Sequence, residues 1–115
     1  MMDENTVLVQ NTLRSGQSVY YDGNVVVVGD INPGGEVIAA GNVVVMGYLR
    51  GMVHAGVGGN EGAVVYAFRM CPTQLRIASH ITRAPDDDCG PTVPEIARIK
   101  EGRVVIETFS VGPDR

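Results

Sequence analysis

The apolar positions of this chain recur with a period that neither a helix nor an isolated strand produces. From Gly23 to Leu49 a glycine, one intervening residue and an aliphatic return every six residues, as Gly23-Asn24-Val25, Gly29-Asp30-Ile31, Gly35-Glu36-Val37, Gly41-Asn42-Val43 and Gly47-Tyr48-Leu49. A helix comes back to one face every ~3.6 residues and a strand every second residue, so a period of six locked to glycine fits neither alone. It fits a coil with short straight sides, in which the aliphatic of each hexad points inward and the glycine lets the backbone turn the corner. Three hexads close one turn. That longer repeat is visible directly, because Gly23-Asn24-Val25-Val26-Val27-Val28-Gly29 returns as Gly41-Asn42-Val43-Val44-Val45-Met46-Gly47. The pattern predicts an all-β fold, a short parallel β-helix of triangular cross-section with three to four rungs.

Beyond Leu49 the repeat loosens. Gly62-Ala63-Val64-Val65-Tyr66-Ala67 is expected to restart the first face twenty-one residues after Gly41, and Gly102-Arg103-Val104-Val105-Ile106-Glu107 to restart it again. Gln74-Leu75-Arg76-Ile77-Ala78 and Ile96-Ala97-Arg98-Ile99 complete the rungs between them. From Thr82 to Pro94 the series is broken by Pro85, Pro91 and Pro94 and by the run Asp86-Asp87-Asp88, which reads as a surface loop. Met1 to Asn11 carries no such pattern and has the profile of a linker. The expected organisation is one β-helix domain over 12–110, between a linker remnant at 1–11 and a tail at 111–115.

Composition narrows the function. At 115 residues and 44% hydrophobic the chain can bury one core, and fifteen glycines beside six aromatics suit many tight corners around a narrow interior. The net charge of −4, with no basic run and no interleaved aromatics, argues against nucleic acid as a partner. No apolar stretch approaches the roughly 20 residues that span a bilayer, and the acidic start is no signal peptide, so no direct membrane insertion is expected. Cys71 and Cys89 show no spacing that marks a disulfide framework, and they read as two thiols of a cytoplasmic protein.

Catalytic chemistry finds little support. His54 and His80 are the only imidazoles, and neither Cys71, Cys89 nor the Asp86 to Asp88 run stands at metal-ligand spacing from them. Gly56-Val57-Gly58-Gly59-Asn60-Glu61-Gly62 lacks the Lys-Ser/Thr of a phosphate loop and reads as an extended corner. The aspartate run beside prolines reads as a solvated loop rather than a cation site. Ser15 has no histidine or lysine near it in sequence to activate it. No catalytic residue, metal or cofactor is expected.

The outer face says more. If Val25 and Val27 point inward, alternation sends Val26 and Val28 outward, and the following rungs are expected to set Val44, Met46, Val65 and Ala67 above them. Both parities are then apolar, as in parallel strands buried on both sides. The least demanding cover for such a column is the same face of a second copy, so Val26, Val28, Val44, Met46 and Val65 are the expected interface of a homodimer.

Leu13-Arg14-Ser15-Gly16-Gln17 before the first strand, Ala40-Gly41-Asn42-Val43, and Gly47-Tyr48-Leu49-Arg50-Gly51-Met52-Val53-His54-Ala55-Gly56 together resemble the C-terminal domain of the bacterial septum-site-determining protein MinC, from about Leu13 to Phe109. The Arg-Ser-Gly-Gln element is the specific part of the likeness, since rung glycines occur in unrelated β-helices. The resemblance implies a right-handed coil, a dimer formed through one face, and binding to the ATP-bound, membrane-associated ATPase MinD in antagonism of FtsZ assembly. It implies cytoplasmic residence with recruitment to the inner face of the membrane through MinD, and it carries the MinD contact onto Arg14, Ser15, Gly16 and Gln17. FtsZ is a second implied partner; Met52 stands where some relatives carry a basic residue. The polymerisation-blocking N-terminal domain of that family has no counterpart here, which marks the first residues as an interdomain linker. Two rival readings of a hexad coil are a hexapeptide-repeat acyltransferase, whose histidine base lies between trimer subunits, and a bactofilin-like scaffold that polymerises through its open ends.

Overall fold

A computed structural model of the chain describes residues 5–83 and 93–109. Within them lie eleven strands and no helix: β1 (Thr6–Val9), β2 (Ser18–Tyr21), β3 (Asn24–Val27), β4 (Glu36–Ala39), β5 (Val43–Leu49), β6 (Met52–Ala55), β7 (Val65–Met70), β8 (Gln74–Ile77), β9 (His80–Thr82), β10 (Glu95–Lys100) and β11 (Arg103–Thr108). One sheet runs β1-β3-β5-β7-β10-β11 and the other β2-β4-β6-β8-β9. Consecutive strands thus alternate between two sheets through β8, and all pairs from β1 to β8 are parallel. A third side is formed where Leu13, Ile31 and Leu49 bridge in parallel and Leu49 continues onto Met70. The chain is a triangular β-helix of about four turns.

Alternation fills the centre. Val25, Val27, Val43 and Val45 from the first sheet, Val37, Ala39, Val53, Leu75 and Ile77 from the second, and Ile31 and Leu49 from the third side are fully buried. Each large aliphatic contributes roughly 1.5–3 kcal/mol by leaving water, so a slip of one residue, which would turn a whole strand inside out, is strongly disfavoured.

That parity rule overturns one expectation. Val65 pairs with Val43 and Ala67 with Val45, twenty-two residues on rather than twenty-one, so both are core residues with no exposure. The residue in register with Val44 is Tyr66. The residues beyond the eighteen of the preceding turn are taken up in the corner between β6 and β7, where Gly56, Gly58 and Gly59 all have positive φ and the amide of Asn60 donates to the carbonyl of Gly56. This is the extended corner expected over Gly56 to Gly62.

The ends also differ from the sequence reading. Thr6–Val9, expected within a linker, is β1 and pairs with β3 as part of the first turn. After β8 the coil stops. β9 folds back antiparallel on β8, β10 runs antiparallel to β7, and β11 antiparallel to β10, so Ile96 to Ile99 and Gly102 to Glu107 form a hairpin and not a further rung. Its two-residue turn, Glu101-Gly102, has positive φ at both positions, as a type I′ hairpin requires. Cys71, read as a thiol, is disulfide-bonded; bridging depends on how Cβ atoms approach in space, which spacing along a chain does not report. The expected loop residues Pro85, Asp86, Asp87, Asp88, Cys89 and Pro91 and the expected tail lie outside the described residues.

Candidate interaction site

Arg14, Ser15, Gly16 and Gln17 form one corner of the first turn, between the inward Leu13 and the start of β2. The carbonyl of Arg14 accepts from the amide of Gln17 at 2.9 Å, and Gly16 has φ +87°, which makes the segment a β-turn with the left-handed residue at its third position. The side chain of Gln17 folds back, its Oε1 accepting from the amide of Arg14 at 2.7 Å. All four residues are exposed.

The turn rests on the one beneath it. Asn32-Pro33-Gly34-Gly35 closes in the same way, the amide of Gly35 donating to the carbonyl of Asn32 at 2.8 Å, and the amide of Gly16 donates to the carbonyl of Gly34 at 3.0 Å. A Cβ on Gly34 would lie 2.5 Å from Ser15 Oγ, whereas a Cβ on Gly16 would meet nothing within 4 Å. Gly34 therefore lets the upper turn settle, and Gly16 faces open solvent where another backbone can approach closely. The glycine at position 16 stands out in the sequence; the supporting one at 34 is hidden among the rung glycines.

The third side beside this corner holds residues that motif reasoning missed. Flanking the bridged Leu13, Ile31 and Leu49, the outward positions are Thr12, Asp30 and Tyr48 in one column and Arg14, Asn32 and Arg50 in the next, with Arg69 in register with Tyr48. The Arg50 guanidinium lies 4.2 Å from the Tyr48 ring centre and that of Arg69 4.8 Å from it. Arg50 donates to Asn32 Oδ1 at 3.3 Å and Arg69 to the Tyr48 hydroxyl at 3.2 Å.

The outer face of the first sheet carries the apolar column. Val26 and Val44 stand in register between Leu8 and Tyr66, while Val28 and Met46 are 43% and 44% exposed and Phe68 is 42% exposed. Tyr66 packs edge-on against both Phe68 and Phe109. Of the five residues expected here, four face outward, and Val65 gives its place to Tyr66.

The histidines are engaged structurally. His54 Nε2 is 2.9 Å from the carbonyl of Ala78, a buried residue with φ +54°, and His80 pairs with Glu61 at 3.2 Å. Among the described residues no three His, Cys, Asp or Glu side chains are grouped to hold a metal ion, and no helix is long and apolar enough to cross a membrane.

The family model for the septum formation inhibitor MinC, C-terminal domain, matches residues 7–109. A probable septum site-determining protein MinC of Heliobacterium modesticaldum is 60% identical over 111 residues, 96% of this chain and 38% of that protein. Its counterpart in Clostridium acetobutylicum is 51% identical over 105 residues, 91% of this chain and 50% of that protein. The chain therefore spans half or less of the length of these relatives. Among solved structures, the MinC:MinD cell division protein complex of Aquifex aeolicus matches with a TM-score of 0.88 at 34% identity, over 93% of this chain and 88% of that one.

Proposed function

This chain belongs to the family of the MinC C-terminal domain, and from that premise we propose that it is the dimerising, MinD-binding part of a cell-division inhibitor that blocks misplaced FtsZ ring assembly. The Arg14 to Gln17 turn carries the reading. It is closed by two hydrogen bonds, exposed, and offers a guanidinium fork, a hydroxyl and an unobstructed glycine at one corner, in a chain similar to a MinC solved as a complex with MinD. We read the protein as a binding module rather than an enzyme, cytoplasmic and drawn to the inner face of the membrane through ATP-bound MinD. FtsZ is the second partner of this reading. The apolar face through Val26, Val28, Val44, Met46, Tyr66 and Phe68 is the homodimer interface.

The test is a titration of the parent chain, Arg14→Ala and Gly16→Asp against MinD with ATP and with ADP, alongside melting curves. Arg14→Ala should weaken binding by about 1–3 kcal/mol, tenfold or more, through lost charge-assisted hydrogen bonds. Gly16→Asp should weaken it further, because it adds bulk and negative charge where close approach is needed; no atom would clash with the new Cβ, but φ +87° strains any side chain there, so the melting curves separate that strain from the lost contact. Binding of the parent should be stronger with ATP. Unchanged affinities with a lowered melting temperature would make the turn a structural cap and remove it as the contact.

A further inference from the structure

We propose that the third side of the coil extends the partner-binding surface, with Arg50 and Arg69, held against Tyr48, reading carboxylates of MinD next to those met by Arg14. The inference rests on the MinD-binding reading above and adds to it the acidic character of the segment bound. Strands in neighbouring rungs lie about 4.8 Å apart, so Arg14 and Arg50, two rungs apart in one column, stand roughly 10 Å from each other. Arg69 lies beside them in the column of Tyr48. Three arginines thus line one side of a chain whose net charge is −4.

None of the three has a carboxylate within ion-pair distance among the described residues, where the ion pairs are His80 with Glu61 and Arg98 and Lys100 with Glu107. The one acid among them, Asp30, turns its Oδ1 to the amide of Tyr48 at 2.8 Å. Two of the guanidiniums are nonetheless fixed, by the Tyr48 ring, the Tyr48 hydroxyl and Asn32 Oδ1. A planar cation held by an aromatic face and neutral acceptors keeps donors free for an incoming carboxylate and loses little rotamer freedom on binding. The surface is continuous with the Arg14 corner, and its charge selects an acidic segment of the same partner.

The experiment compares four proteins with ATP-loaded MinD over a range of salt: the parent, Arg14→Ala, the double variant Arg50→Ala/Arg69→Ala, and Arg76→Ala on the outer face of β8. Melting curves for each fix the folded fraction. The expected result is that the double variant binds about tenfold more weakly than the parent, with a shallower salt dependence, while Arg76→Ala is unchanged. Weakening by Arg14→Ala without weakening by the double variant overturns this inference and leaves the proposed site standing. If neither weakens, the proposed site and its extension both fall. Equal weakening by Arg76→Ala would reduce the effect to overall charge and also overturn the assignment to this side.

Discussion

Among the described residues Glu95 is the one charged side chain that is buried, 8% exposed at the start of β10, and burial pushes its carboxyl above the ordinary carboxylate range. A raised carboxyl pKa in the fold means that the stability it contributes is full at low pH and is lost as pH climbs through the folded value. Glu107 behaves oppositely. Hydrogen bonds from Lys100 and Arg98 hold it below its usual range, so its contribution is present above the unfolded value and is lost as pH falls through the folded one. Glu95→Gln should therefore melt above the parent at neutral pH, and the gap should close in acid; a gap that persists unchanged to pH 4 would mean that ionisation is not the cause. At this scale the sequence was informative where a residue type has one use. Gly16 in Arg-Ser-Gly-Gln is legible as a turn glycine, whereas Glu95 looks like any surface acid until β10 is seen to turn it inward.

Between elements, the rungs are tied by side chains as well as by sheet. Asn24 Oδ1 accepts from the amide of Asn42 at 2.8 Å and Asn42 Oδ1 accepts from the amide of Val64 at 2.8 Å, while Thr12 and Asp30 build a second ladder at the next corner. Asn42→Ala leaves the Val64 amide without that acceptor in a half-buried corner, and should lower unfolding stability by about 1–3 kcal/mol in urea titration with the coil intact. A loss near zero would show that water replaces the amide. The Gly-Asn-Val repeat made these rungs readable through β5. Past it, Gly62 imitates a rung glycine, and an error of one residue in spacing inverted Val65 and Ala67, since strand parity has a period of two. Gly102 misled in the same way, because a corner and a type I′ hairpin both call for glycine.

As a whole molecule the coil has three unlike sides: an apolar first sheet, a mixed second sheet and an arginine-bearing third. The apolar side makes the proposed dimer testable by mass. Val44→Asp would set two charges across a dry contact and should give a folded monomer in light scattering, whereas a dimer of undiminished stability would move the interface elsewhere. The parallel rungs and triangular section were legible from period and parity, but the antiparallel closure was not, because it depends on strand direction, to which alternation is blind. One detail of the corners reaches further. The first two turns place four residues between the third side and the second sheet, Arg14 to Gln17 and Asn32 to Gly35, but the third makes do with Arg50 and Gly51, Gly51 sitting so tightly under its neighbours that a Cβ would come 2.4 Å from the carbonyl oxygen of Gly35. Insertions and deletions can accumulate at this edge while the pairs on either side keep step, Ile31 with Leu49 and Val37 with Val53, so a lineage can remodel what the edge presents by changing its length alone.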